Sequence, residues 1–117
     1  MREIKFRGKS KANGAWRIGD LIHRGVDVWI RPHINEFAVD ASTVGQFIGL
    51  YDRNGKEIYE GDIVRSIVSD RLYEVEYDPR FASFGLKRKD KDEPLCYFGD
   101  ATKADGCEII GSKYGEI

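Results

Sequence analysis

Phe6-x-Gly8, Asn13-Gly14 and Gly19-Asp20-Leu21-Ile22 return 41 residues later as Phe47-x-Gly49, Asn54-Gly55 and Gly61-Asp62-Ile63-Val64, with one extra residue before the second Gly-Asp. Asn-Gly is the strongest short-range hairpin signal, because both residues tolerate the positive φ that tight turns require. Gly-Asp ahead of a β-branched run marks a bend that hands the chain to a strand. Such a chain folds into short strands joined by turns. Two copies fall short of the roughly three stacked units that a solenoid or propeller needs, so the repeat describes two related β units in one small protein.

The remaining pattern agrees. Ile4-Lys5-Phe6-Arg7 alternates apolar and basic residues, Gly8 to Gly14 reads as a polar loop, and Trp16-Arg17-Ile18 resumes the alternation, with Trp16 expected to pack inward. Leu21–His23 and Val26–Ile30 read as strands joined near Arg24-Gly25 and closed by Pro32, which lacks the amide a central strand needs. Phe37–Val39 is a short strand. Asp40 to Phe47 fits a capped single helical turn, with Asp40 or Ser42 as cap and Val44 and Phe47 on one side. Ile48 to Tyr59 reads as strand, turn and strand about Asp52-Arg53-Asn54-Gly55. Further strands are expected at Ile63–Val68, Leu72–Tyr77, Phe81–Leu86, Leu95–Phe98 and Cys107–Ile110, with a mixed-charge loop tip at Lys87–Pro94.

Short strands this closely spaced must curl up, since a flat sheet of that size leaves open edges and an unburied face. The expected fold is all-β with at most one short helical turn. Residues 48–117 should form a small SH3-like barrel or roll, with an OB-like barrel as the alternative. Residues 1–47 should be a β-rich segment packed on that barrel or completing it, the whole forming one structural unit.

Charge is uneven. Residues 1–31 hold eight Lys/Arg against three acids, for +5, and residues 32–117 carry −6, within a net charge of −1 over 117 residues. Such a division suits nucleic-acid contact through the basic part, subunits meeting head to tail by opposite fields, or simply a solvated mixed surface. No apolar stretch approaches the roughly 18 residues of a membrane span, and the N-terminus lacks the apolar core of a signal peptide, so a cytoplasmic protein is expected. Cys96 and Cys107, with ten residues between them and no CxxC, suggest reduced thiols.

Chemistry is sparse. His23 and His33 flank the Arg24 to Pro32 strand pair and, with Asp20 or Glu36, make a weak metal constellation beside the simpler reading of two exposed strand-end histidines. Glu57, Glu60 and Asp62 gather carboxylates near Tyr59, which a polar strand end and a Gly-Asp turn also explain. No nucleophile elbow or phosphate-cradling glycine loop is present, so no catalytic, cofactor or metal residue is assigned and no enzyme is expected. Lys5, Arg7, Lys9, Lys11 and Arg17 beside Trp16 are the candidate nucleic-acid contacts, through phosphate pairing and base stacking. Fourteen aromatics exceed what one small core covers, and Trp29, Tyr51, Tyr59, Phe81 and Phe84 are the candidate interface residues.

The run Thr43-Val44-Gly45-Gln46-Phe47-Ile48-Gly49-Leu50-Tyr51-Asp52-Arg53-Asn54-Gly55-Lys56-Glu57-Ile58-Tyr59-Glu60-Gly61-Asp62-Ile63-Val64 resembles the signature of the YopX family, small proteins carried mostly by bacteriophages and prophages. Arg2 to Gly8 is similar to that family's N-terminus, and Glu108-Ile109-Ile110-Gly111 to its closing strand. The resemblance implies an all-β fold of SH3 type in a bacterial host cell, and carries over no functional residue. The expectation is therefore a phage-related accessory protein that binds another protein or itself as a homo-oligomer, with nucleic-acid binding through the basic N-terminal residues as the alternative.

Overall fold

The computed structural model describes residues 3–67, 69–80, 82–90 and 106–115. The expected strand Leu95–Phe98, Cys96, Phe81 and the end of the mixed-charge tip lie outside them. The described elements are strands and one 3-10 turn, so the protein is all-β. Among the described residues no helix is long and apolar enough to cross a membrane. The chain divides into two compact units, Met1–Phe47 and Ile48–Ile117.

In the first unit β1 (Phe6–Lys9), β2 (Trp16–Arg24), β3 (Asp27–Arg31) and β4 (Phe37–Val39) run antiparallel in chain order. The sheet then closes: Ser10 bridges Val39, the Lys11 amide donates to Ala38 O (2.9 Å) and the Asp40 amide to Lys9 O (2.9 Å). β4 thus bonds to β3 along one edge and to the end of β1 along the other. The start of β1 pairs with β5 (Gly45–Tyr51) through Phe6 opposite Gln46 and Arg7 opposite Gly45. Val28, Ile30 and Val39 fill the interior, with Phe6, Leu21 and Val44 packed against them.

Three expectations change here. Gly8 lies inside β1 rather than in a loop, and glycine suits the position because a Cβ there would press on Val39 Cγ2 at 3.0 Å and Val44 Cγ2 at 3.3 Å. Gly19-Asp20 does not end a strand: β2 continues through it, and its pairing passes there from β1 to β3. Gly19 is needed because a Cβ would lie 2.6 Å from Pro32 Cα and collide with Arg31 O, both backbone atoms. The helical segment is shorter than expected. Only Ala41–Thr43 winds, capped by Asp40, whose carboxylate accepts from the Ser42 amide and hydroxyl, and Phe47 falls in β5.

In the second unit β6 (Glu57–Tyr59) lies beside β5, and β7 (Asp62–Ser66), β8 (Leu72–Asp78), β9 (Ser83–Arg88) and β10 (Cys107–Ser112) form an antiparallel sheet in the order β10-β7-β8-β9. Ile48, Ile58, Val64, Tyr73, Val75, Leu86 and Cys107 make its core. The β5–β6 turn keeps Asn54 at negative φ and puts only Gly55 in the left-handed region (φ 80), with the Gly55 amide on Asp52 O and the Asp52 amide on Lys56 O. That is a type I turn closed by a left-handed glycine, the usual three-residue hairpin loop. Here Gly-Asp does form a corner: Gly61 has φ +93. The extra residue of the second copy thus accompanies a change from a continuous strand to two strands joined at a corner.

Candidate functional site

Residues directly opposite one another on antiparallel strands share a face, and faces alternate along each strand. Leu21 pairs with Ile30, and Val28 with Val39, so β2 turns Arg17, Gly19, Leu21 and His23 toward the core of the first unit. Trp16, Ile18, Ile22 and Arg24 lie on the opposite face, so Trp16 does not join this core, although its Nε1 is buried. The alternation is ambiguous in sequence because Leu21 and Ile22 are adjacent and both apolar. The phase is set by the pairing of Leu21 with the fully buried Ile30.

The outer face is aromatic and basic. Lys9 stands opposite Trp16, Arg7 opposite Ile18 and Ile22 opposite Trp29. The Arg7 guanidinium lies 4.4 Å from the Trp16 ring centroid, Lys9 Nζ 5.4 Å from the same ring, and the Arg24 guanidinium 5.4 Å from Trp29. Each such contact contributes about 0.5 to 2 kcal/mol, depending on how far the cation is desolvated. Arg7 is buried, Trp16, Ile22 and Trp29 are half-buried, and Ile18 is 42% exposed. Ile18 and Ile22 were not singled out from the sequence. Their signal was apolar residues on both faces of one strand.

Of the candidate nucleic-acid contacts, Lys5 lies 5.1 Å from the Phe47 ring and 3.4 Å from Glu3, while Arg7 and Lys9 lie over Trp16. Lys11 is exposed, 3.9 Å from Asp27. Arg17 points to the opposite, inner face, where its guanidinium carbon sits 3.8 Å from the centroid of Phe37. The five cations therefore do not form one basic surface, and Arg7 already lies over the indole that a base would stack on.

The candidate interface residues are scattered. Trp29 belongs to the outer face just described, Tyr51 is 48% exposed at the end of β5, and Phe84 is half-buried edge-to-face with Tyr77 (5.3 Å). Tyr59 is 3% exposed, and its hydroxyl donates to Glu57 Oε1 (3.0 Å), so it serves the interior of the second unit. Phe81 lies outside the described residues.

The carboxylates near Tyr59 are built into turns. Asp62 is fully buried and its Oδ2 accepts from the Tyr59 amide at 2.7 Å, while Glu57 takes the Tyr59 hydroxyl. Asp52, 4% exposed, accepts from the Asn54 and Lys56 amides through Oδ1 and from the Ile109 amide through Oδ2, joining the β5–β6 turn to β10. His23 and His33 are both exposed. Glu36, a suggested partner for them, is held by Arg24 at 2.7 Å, and this hydrogen bond sets its carboxyl below the usual range. Among the described residues no group of three or more His, Cys, Asp or Glu side chains is placed to hold a metal ion.

Residues 5–116 match the model of the family described as YopX protein. No curated protein matches the chain.

Proposed function

The chain belongs to the YopX family, and on that premise we propose that it is a non-catalytic accessory protein of the kind phages and prophages carry, acting in the bacterial cytoplasm by binding protein. Its partner is a second copy of itself, and its contact surface is the outer face of β2 and β3. The observation that carries this reading is the set Trp16, Ile18, Ile22 and Trp29, presented outward by strands whose inner face already supplies the core of the unit. Tryptophan with flanking arginine is the side-chain combination most enriched where protein interfaces hold their binding energy. Nucleic-acid binding is less well supported, because the basic side chains are divided between two faces and several already lie over aromatic rings.

The test is absolute mass by light scattering at low and high salt, on the unmodified chain and on Ile18→Glu. A salt-resistant oligomer that Ile18→Glu returns to monomer is the expected result. A chain that is monomeric at tens of micromolar, or an oligomer indifferent to Ile18→Glu, overturns it.

A further inference from the structure

The inner-face position of Arg17 is the least expected feature of the first unit. Its guanidinium carbon lies 3.8 Å from the centroid of the Phe37 ring, its Nε is buried, and that Nε has no hydrogen-bond partner. Among the described residues no carboxylate forms an ion pair with it, whereas Arg24, Arg65, Arg80 and Arg88 each have one at 2.6 to 3.1 Å. The residue is half-buried, and of its three nitrogens Nε is the one that is both sealed and unpartnered. A guanidinium fixed on an aromatic ring is pre-organised for two parallel hydrogen bonds to a planar anion.

We propose that Arg17 and Phe37 form a receptor for a single carboxylate supplied by a protein partner, an Asp or Glu side chain or a chain end. The carboxylate oxygens accept from the two terminal nitrogens while Phe37 holds the guanidinium plane. A protein carboxylate is favoured over a nucleic-acid phosphate because Arg17 stands alone. Lys5, Arg7 and Lys9 lie on the opposite face of the sheet, and a polyanion gains affinity from several cations acting together. The identity of the partner as protein rests on the binding role proposed above. The receptor itself does not, and the experiment reads it separately.

The full chain, labelled with nitrogen-15, is titrated with sodium acetate, with inorganic phosphate and with sodium chloride at matched ionic strength, and the Arg17 Nε–Hε signal is followed by NMR. The expected result is a saturating shift with acetate, little with chloride, and weaker binding of phosphate. Phe37→Leu should weaken acetate about tenfold, the loss of one stacking contact. Arg17→Lys should stop acetate from moving the amides of Gly8 and Phe37, because an ammonium lacks the planar fork. A response no larger than that to chloride, or one that survives Arg17→Lys, overturns the receptor. Tighter binding of phosphate and of a single-stranded oligothymidine through the same signal overturns the choice of a protein carboxylate. All these readings hold whether the protein proves monomeric or oligomeric by light scattering.

Discussion

Replacing Asp52 by alanine removes three hydrogen bonds from a side chain that is 4% exposed: 2.8 Å from the Asn54 amide, 2.9 Å from Lys56 and 3.0 Å from Ile109. A bond to a charged acceptor contributes about 1.5 to 3 kcal/mol where the donor is withdrawn from water, and about 1 kcal/mol where water can replace it. Asn54 and Lys56 are exposed and Ile109 is half-buried, so Asp52→Ala should cost about 3.5 to 5 kcal/mol. For a unit of this size that is a fall in Tm of roughly 14 to 40 °C. The same carboxyl predicts the pH response. Burial alone would raise its pKa, but the amides of Ile109, Lys56 and Asn54 together outweigh burial and hold it below the ordinary 3.8. A depressed folded-state pKa gives stability that is present above the unfolded value and lost as pH falls through the folded one. The unmodified chain should therefore lose this stability below about pH 4, and Asp52→Ala should lack that part of the acid response. Urea unfolding across pH, together with hydrogen exchange at the Ile109 amide, measures both effects. If Asp52→Ala unfolds within about 0.5 kcal/mol of the parent, or if exchange at Ile109 is unchanged, the carboxylate does not tie the turn to β10.

Gly19→Ala should destabilise the first unit by about 2 kcal/mol or more, since the new methyl meets the backbone of Arg31 and Pro32. Gly111→Ala, with open space around it, should shift thermal unfolding far less. Gly61→Ala should also be costly, because φ +93 is unfavourable for a side chain and Tyr114 closes the space at 3.0 Å, whereas Gly14→Ala should cost only the left-handed strain of about 1 kcal/mol. Lys9→Glu with Lys11→Glu should leave retention of a single-stranded oligonucleotide in a gel-shift assay as low as in the parent. A marked loss of binding would restore the basic N-terminal residues as a nucleic-acid site.

Turn chemistry was the most legible part of the sequence. Asp52-Arg53-Asn54-Gly55 and the corner at Gly61 act through local backbone preferences that tertiary contacts do not need to supply. Strand β8 was legible for a related reason: its apolar residues alternate with polar ones in Tyr73-Glu74-Val75-Glu76-Tyr77, whereas β3, β4 and β7 read as short runs rich in apolar and β-branched residues bounded by polar or turn residues. Position within the fold was harder to read. Gly8 and Gly19 look like loop residues in sequence, but they are strand positions kept free of a side chain by neighbours more than ten residues away, Val39 in one case and Pro32 in the other. The facing of Trp16 and Arg17 was hidden for the same reason. An arginine predicted to reach outward turns inward because its strand register follows Leu21 and Ile30, and its stem and ring stacking make that burial tolerable.

The closure of β4 onto the end of β1 bears on how the first unit can grow into larger assemblies. Sheets spread from chain to chain when one of them offers a run of unsatisfied amides and carbonyls, the template on which amyloid and swapped strands are built. Ala38 O and the Asp40 amide, which a foreign strand would have to recruit, are already bonded to Lys11 and Lys9 within the chain. Addition of a strand at β4 would require those bonds to be given up, which confines association there to side chains. Contacts made by side chains are alterable one residue at a time, so an assembly made at this edge is expected to respond to single substitutions and not to grow by adding strands to the sheet.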